Sequence, residues 1–129
     1  MRLPRVDRVR SRQALGRDAE RAAAAFLTRR GYRIERANVR FRVGEIDLVA
    51  WDRSTLCFVE VRSASSTAWG GAAASVDAAK RRHLIRAAQC YAAGLRQLPE
   101  QMRFDVVTVQ WSADRRPSVE VIRGAFEAG

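Results

Sequence analysis

The sequence is poor in the residues that bind soft metals or build disulfide frameworks. Its 129 residues include only two cysteines and one histidine. Cys57 and Cys90 lack metal-ligand spacing, and His83 lies in the basic run Lys80-Arg81-Arg82-His83, which is typical of a solvated helix face. A zinc site or a disulfide scaffold is therefore not expected, and both cysteines are predicted to be reduced and unbridged.

Long hydrophobic runs are also absent. No stretch approaches the roughly 20 apolar residues that a membrane-spanning helix needs. The N-terminus is basic, but it lacks the apolar segment of a secretory signal. The sequence therefore predicts a soluble protein of the cytoplasm with no membrane partner, and 129 residues are enough for one domain with a real core.

Acidic residues are scarce in the first third of the chain. Residues 1–42 contain 13 arginines against four acidic residues, a net charge of +9, whereas residues 43–129 contain 11 basic and 10 acidic residues. The whole chain has a net charge of +10. Such a local positive charge attracts phosphate backbones. It predicts an anionic partner, and DNA, ribosomal RNA and an acidic membrane surface all remain open on charge alone.

Hydrophobic periodicity predicts one α/β domain over residues 13–123. Helices are expected at 11–30, ended by Gly31, and at 77–95. Strands are expected at 32–42, 44–51, 56–63, 103–111 and 118–123. Residues 1–12 are expected to form a flexible basic arm, 63–75 a mobile loop and 124–129 a short tail. The order α-β-β-β-α-β-β predicts a mixed central sheet flanked by helices.

Two carboxylates occupy adjacent predicted strands. A hairpin centred between Arg53 and Ser54 places Asp47 opposite Glu60, with Cβ atoms roughly 4.5–5.5 Å apart. Two carboxylates at that separation repel each other unless a proton or a cation lies between them. Because Mg²⁺ needs only one or two carboxylates together with water and phosphate oxygens, the pattern suggests a metal site for a phosphate-containing substrate.

An ordinary solvated face explains the same charges. The same register places Glu45 opposite Arg62, and the two could simply pair at the surface. Against this, Val49 and Phe58 are expected on the carboxylate side, so that side is not wholly polar and suggests a lined cleft. The opposite, core-facing side is predicted to hold Ile46, Leu48, Val59 and Val61.

Five segments resemble the YraN family and occur in that family's order over roughly residues 13–110. The family is similar to Holliday junction resolvases and belongs with the PD-(D/E)XK nuclease-like superfamily. The resemblance therefore implies the restriction-endonuclease-like fold, DNA as partner, and Mg²⁺ or Mn²⁺ as cofactor. The segments are LGRDAE at 15–20, GEIDLVA at 44–50, FVEVR at 58–62, VDAAK at 76–80 and RFDVV at 103–107.

The resemblance also implies roles for individual residues. Asp47 and Glu60 would hold one metal ion, with the Val61 carbonyl as a further ligand. Glu20, on the border of the apolar stripe of the first helix, would bind the ion through water or orient the attacking water. On sequence alone, a solvated Glu20 paired with Arg17 or Arg21 is an equal alternative.

The chain departs from the family pattern at Arg62, where a lysine is expected. Arginine stays protonated and cannot act as a general base at neutral pH, although it can stabilise charge on a phosphate. Lys80 is the only lysine in the chain, and it could take the vacant role from the second helix. The alternative is a Lys80 that faces solvent or caps a carboxylate. Ala72 and Ala74 also replace the Pro and Glu common in the family.

These features predict a metal-dependent endonuclease acting on DNA, with branched or recombination intermediates as candidate substrates. The first alternative is a nuclease-fold protein that binds nucleic acid without turnover, which Arg62 favours. The second is an interaction domain that uses its basic arm on RNA or another acidic partner. If the protein oligomerises, a two-fold homodimer is the default, since a four-way junction is itself two-fold symmetric.

Overall fold

The backbone is described for residues 5–64 and 76–128, and side chains for 16–63 and 76–128, from a computed structural model. The expected order of elements and the α/β class are confirmed, and the arrangement agrees with an α/β nuclease-like fold. The elements are α1 (Arg5–Arg29), β1 (Arg33–Phe41), β2 (Gly44–Asp52), β3 (Thr55–Ala64), α2 (Ala78–Ala93), β4 (Gln101–Trp111) and β5 (Pro117–Phe126).

Regular structure extends further towards both ends than the sequence predicted. Helix α1 begins at Arg5, so residues 5–12 are helical rather than an irregular arm. Residues 5–15 contain neither proline nor glycine, and nothing in them stops a helix. Strand β5 continues to Phe126, whose ring stacks on Phe104 with centroids 4.9 Å apart. Strand β3 continues to Ala64 and so includes the first two residues of the loop expected at 63–75. Residues 1–4, the rest of that loop at 65–75, with Ala72 and Ala74, and residue 129 lie outside the described part.

The five strands form one sheet in the order β1-β2-β3-β4-β5. Neighbouring strands are antiparallel except β3 and β4, which are parallel. This parallel pair follows from the connection, because the chain crosses over through α2 between β3 and β4. The described helices include none long and apolar enough to cross a membrane.

Each face of the sheet carries one helix and its own core cluster. On one face α1 buries Ala19, Ala23 and Leu27, which confirms the apolar stripe expected for that helix. On the other face α2 buries Leu84, Ala87 and Ala88. The aromatic rings of the fold concentrate on the α2 face, where Phe58, Phe104 and Phe126 pack together.

The helices end as their sequences predict. Gly31 follows α1 with φ of 94°, in the left-handed region that glycine adopts without a steric penalty. The amide of Tyr32 then donates to the Leu27 carbonyl at 2.9 Å, which closes the end of the helix. Asp77 caps the start of α2, because its Oδ1 accepts a hydrogen bond from the Lys80 amide at 2.8 Å.

The hairpin of β2 and β3 has the predicted register. Its pairs run from Asp52↔Thr55 at the turn to Leu48↔Val59. The backbone pairing stops beyond Leu48, before the expected pair of Asp47 with Glu60, and the Val61 amide donates to the side chain of Asp47 instead. The expected opposition of Glu45 to Arg62 is therefore wrong. Glu45 pairs instead with Arg40 on β1, and the Arg40 Nε lies 3.8 Å from the Glu45 Oε2.

The alternation of sides along β2 is interrupted at Asp47. Ile46 packs in the α2 cluster and Leu48 in the α1 cluster, so the expectation that both line one core face is wrong. Across on β1, Asn38 stands between the partners of Ile46 and Leu48 and has φ of 55°. Asparagine tolerates this left-handed conformation better than most residues. The irregular position of β1 therefore lies beside Asp47.

Candidate functional site

A cavity of about 520 Å³ lies between the start of β2, strand β3 and the first turns of α2. It is on the α2 face of the sheet, at the end where the β2–β3 pairing stops. Its lining combines three carboxylates of the sheet with polar groups of α2. The lining residues are Gly44, Glu45, Asp47, Glu60, Asp77, Ala79, Lys80, His83 and Leu84.

Asp47 is the carboxylate most strongly perturbed by this setting. Its Oδ2 accepts a hydrogen bond from the Val61 amide at 2.8 Å, which holds the side chain against β3. Burial raises the pKa of Asp47 to about 7, and repulsion from Glu60 adds to the effect. The Val61 amide acts in the opposite direction but does not compensate. An added cation would therefore reduce the repulsion between the carboxylates of Asp47 and Glu60.

Glu60 is buried, and a lysine from the opposite element reaches it. The Glu60 side chain is 7% exposed and its Oε1 lies 2.8 Å from the Lys80 Nζ. Lys80 belongs to the first turn of α2, which the Asp77 cap fixes in place. The structure thus favours a Lys80 that pairs with a carboxylate over one that only faces solvent.

Glu20 approaches the site from α1, although it does not line the cavity. With the Asn38 amide oriented to donate, its nitrogen lies 2.7 and 3.0 Å from the two oxygens of Glu20. Partial burial and the charge of Glu45 raise the pKa of Glu20. Arg21 forms its ion pair with Asp18, at 3.9 Å, rather than with Glu20. Glu20 is therefore held by β1, close enough for its charge to raise the pKa of Asp47.

Arg62 is placed differently from the other candidate residues. It is half-buried on β3, two residues beyond Glu60, and it does not line the cavity. Within this cavity the described lining residues include one Lys or Arg side chain, Lys80. The position expected to carry the family's lysine thus contributes no cation to the cavity, whereas α2 does.

The donor set fits a small, hard cation. Among the described residues, no three side chains of His, Cys, Asp or Glu come together closely enough to form a complete metal cage. Mg²⁺ does not require one, since it keeps several waters and binds one or two carboxylates together with substrate phosphates. Asp47 and Glu60 provide such a pair. A cation between them would offset the burial and the repulsion that raise the pKa of Asp47.

A close approach of β2 to α2 shapes the mouth of the cavity. A Cβ built on Gly44 would lie 2.4 Å from the His83 carbonyl oxygen, so only glycine fits at this position. The ring of His83 also forms a hydrogen bond with the β1–β2 turn, where its Nδ1 lies 3.0 Å from the Val43 carbonyl oxygen. His83 is thus more than a solvated helix residue, because it attaches α2 to the β1–β2 turn beside the carboxylates.

A buried ionic network on the α1 side was missed by the sequence reasoning. Asp105 is fully buried, and Arg103 contacts its two oxygens at 2.8 and 2.9 Å. The same guanidinium bonds Asp52 at 2.9 Å, and the Gly124 amide and the Tyr32 hydroxyl donate to Asp105. These carboxylates, that of Asp105 first, raise the pKa of Arg103. A charge inside the apolar run Phe104-Asp105-Val106 was the available signal, since buried charges need partners.

The network also contributes to the raised pKa of a neighbouring cysteine. Cys57 is buried, and burial together with the charge of Asp105 raises the pKa of its thiol to about 12. Cys90 is exposed on α2, and the two cysteines are unbridged, as predicted.

A larger cavity of about 750 Å³ lies between α2, β4 and β5, but its lining is mostly apolar. Leu98 and Met102 at this cavity are exposed. Its charged lining residues are Arg103 and Glu127, and the Arg103 guanidinium is already held by Asp52 and Asp105. The chemistry is therefore concentrated in the smaller cavity.

Comparisons with known proteins place this site in a family. The model of the family described as "Uncharacterised protein family UPF0102" matches residues 19–109, which include Glu20, Asp47, Glu60 and Lys80. A UPF0102 protein of Symbiobacterium thermophilum is 47% identical over 114 residues, covering 88% of this chain and 97% of the relative. One from Anaeromyxobacter sp. (strain Fw109-5) is 47% identical over 116 residues, covering 90% and 86%. One from Desulfosudis oleivorans is 44% identical over 117 residues, covering 91% and 93%. The chain therefore belongs to the UPF0102 family, which is the YraN family that its sequence resembles.

Proposed function

We propose that this protein is a nucleic-acid-binding, metal-dependent endonuclease that hydrolyses phosphodiester bonds in DNA, with branched intermediates among its substrates. One observation carries the proposal: Asp47 and Glu60 share a cavity in which burial and mutual repulsion raise the pKa of Asp47 to about 7. Two carboxylates in such an arrangement repel each other unless a proton or a cation lies between them, and strongly perturbed pKa values cluster at functional sites. The family resemblance supplies the reaction class.

Asp47 and Glu60 are the side chains that would hold Mg²⁺ or Mn²⁺, with the Val61 carbonyl as a further oxygen ligand. When bound, the ion supplies a Lewis acid for the phosphoryl oxygen and for water. The Val61 amide fixes the orientation of Asp47. Glu20, held by Asn38, would orient the water that attacks phosphorus. Arg62 would stabilise charge on the phosphate from β3.

Charge supports nucleic acid as the partner. The first 42 residues have a net charge of +9, and Arg40 and Arg42 are exposed on β1 and on the turn that leads to Gly44 at the cavity. Arginines that contact phosphates position a duplex without reading its bases. We therefore propose binding with little sequence preference. The two free thiols fit a reducing compartment such as the cytoplasm.

The proposal is tested by cleavage of labelled single-stranded, duplex, flapped and four-way-junction DNA in Mg²⁺, Mn²⁺ or EDTA. We expect metal-dependent cleavage that is lost in Asp47→Asn, which keeps an acceptor for the Val61 amide. Asp114→Asn is the matched control, because Asp114 is an exposed aspartate in the turn between β4 and β5. Cleavage that survives Asp47→Asn would refute the assignment.

A second candidate function is nucleic-acid binding without turnover. The observation that favours it is the placement of Arg62 outside the cavity, together with the neutralisation of Glu60 by Lys80. Arg62→Lys separates the two candidates. Cleavage gained by this variant from an inactive wild type would identify a binding module that has lost its catalytic lysine, whereas an active wild type would exclude that candidate.

A further inference from the structure

We propose that Lys80 shares Glu60 with the metal: its ammonium pairs with Glu60 in the metal-free protein and moves to a substrate phosphate when the metal binds. This inference rests on the proposed function and deepens it. It assigns the positively charged side chain of the site to Lys80 on α2 rather than to position 62 on β3, where the family has a lysine.

The two partners of the pair differ in freedom. The Glu60 side chain is 7% exposed and fixed in the sheet, whereas the Lys80 side chain is 51% exposed. The main chain of Lys80 is anchored by the hydrogen bond that its amide donates to the side chain of Asp77. A lysine has a flexible four-carbon stem, so its ammonium can leave Glu60 while α2 stays in place.

The two cations compete for the charge of one carboxylate. Oε1 of Glu60 lies 2.8 Å from the Lys80 Nζ, a distance at which no cation fits between them. A divalent ion bound to the same carboxylate would also repel the ammonium directly. In the proposed exchange, metal binding weakens this ion pair, and the energy of the pair opposes metal binding.

The displaced ammonium has one evident destination. Lys80 lines the cavity with Asp47 and Glu60, so a phosphate bound to a metal there lies within reach of its side chain. Once the metal neutralises the carboxylates, the ammonium is an unpaired donor that an anionic oxygen attracts. Arg62, which does not line the cavity, is less well placed for this contact.

The first test measures Mn²⁺ affinity of the full chain by electron paramagnetic resonance, for the wild type and for Lys80→Met. We expect Lys80→Met to bind Mn²⁺ about fivefold more tightly, at the low end of typical coupling between sites because Lys80 is half-exposed. Arg82→Met, which removes an exposed charge from the same helix outside the cavity, should leave the affinity unchanged. Unchanged or weaker binding by Lys80→Met, or an equal gain in Arg82→Met, would overturn the inference.

The second test follows the ammonium to the phosphate. Binding of uncleaved duplex DNA is measured in Ca²⁺ and in EDTA. Lys80→Met should weaken binding about threefold or more in Ca²⁺ and less in EDTA, where Lys80 is engaged by Glu60. An equal loss in both conditions would show that Lys80 contributes only general positive charge and would overturn the second half of the inference.

The outcomes separate this inference from the proposed function. Mn²⁺ binding that Asp47→Asn abolishes but Lys80→Met leaves unchanged would support the metal site and overturn the sharing of Glu60. Absence of Mn²⁺ binding in the wild type would overturn both.

Discussion

Gly44 lies against the backbone of His83, so that a Cβ on Gly44 would be 2.4 Å from the His83 carbonyl oxygen and 2.9 Å from its carbonyl carbon. Both atoms are main chain, and neither can move without shifting α2. The contact sets how closely the start of β2 approaches the helix. It therefore sets the width of the cavity in which Asp47, Glu60 and Lys80 meet.

Gly44→Ala is expected to lower the free energy of unfolding by about 1–3 kcal/mol, because the methyl group overpacks a contact between two main chains. Urea unfolding measures the change. Gly16→Ala is the matched control, since a Cβ on Gly16 in α1 meets nothing within 4 Å. That control should be neutral or stabilising by up to about 1 kcal/mol. Equal effects of the two substitutions would contradict the importance of the contact.

Asp47 should make the stability of the metal-free protein decrease with pH. Folding raises its pKa from 3.8 to about 7, so between these values the folded state holds more protons than the unfolded state. The contribution of this group is then most favourable at low pH and is lost as the pH rises through about 7.

We therefore expect Asp47→Asn to stabilise the metal-free protein by on the order of 1–3 kcal/mol at pH 8 and by less at pH 5. Urea unfolding in EDTA at several pH values measures this difference. Glu100→Gln serves as the control for loss of an exposed acidic charge. A variant no more stable than the wild type at pH 8 would show that Asp47 is not strained.

Asn38 has two separable roles, a backbone role and a side-chain role. Its φ of 55° favours glycine over alanine, while its amide bonds Glu20. Asn38→Gly and Asn38→Ala both remove the amide, but only the alanine variant adds backbone strain at this φ. We expect the alanine variant to be less stable than the glycine variant by about 1 kcal/mol in urea unfolding. The reverse order would indicate that the left-handed conformation is not retained.

Loss of Asp105 should be among the most destabilising single changes. Asp105→Ala leaves the partly buried guanidinium of Arg103 with Asp52 as its remaining carboxylate partner. Removing one member of a buried ion pair costs roughly 3–5 kcal/mol. Thermal unfolding measures this loss, and Asp114→Ala, which removes an exposed partner of Arg116, is the control expected to have little effect. A small change at Asp105 would mean that the network relaxes or hydrates.

The part of the site that the β2–β3 hairpin forms could be predicted from the sequence. The polar turn at Arg53 and Ser54 is centred where the structure has it, and this determines the pairs of β2 and β3 from Asp52↔Thr55 to Leu48↔Val59. The placement of Val49 and Phe58 on the carboxylate side followed from strand alternation. Such inferences succeed because they depend on neighbours in the chain and on the period of two.

The contacts between elements that are distant in the chain could not be predicted. Contact of Lys80 with Glu60 depends on how α2 docks on the sheet after a crossover, and periodicity carries no information on that angle. The placement of Ile46 and Leu48 on opposite faces was equally hidden, because an irregularity at one position, beside the left-handed Asn38, leaves no pattern in the sequence. Arg103 and Asp105 lie in the motif RFDVV, but their contacts with Asp52 and Tyr32 join β4 to β2 and to the residues that follow α1.

The two-residue turn of the β2–β3 hairpin also orders the events of folding. A hairpin closes in roughly microseconds, whereas the parallel pairing of β3 with β4 must wait for the longer crossover through α2. We therefore expect Asp47 and Glu60 to meet before Lys80 reaches them. Their repulsion would then raise the folding barrier, and a proton or a divalent ion bound between them would lower it.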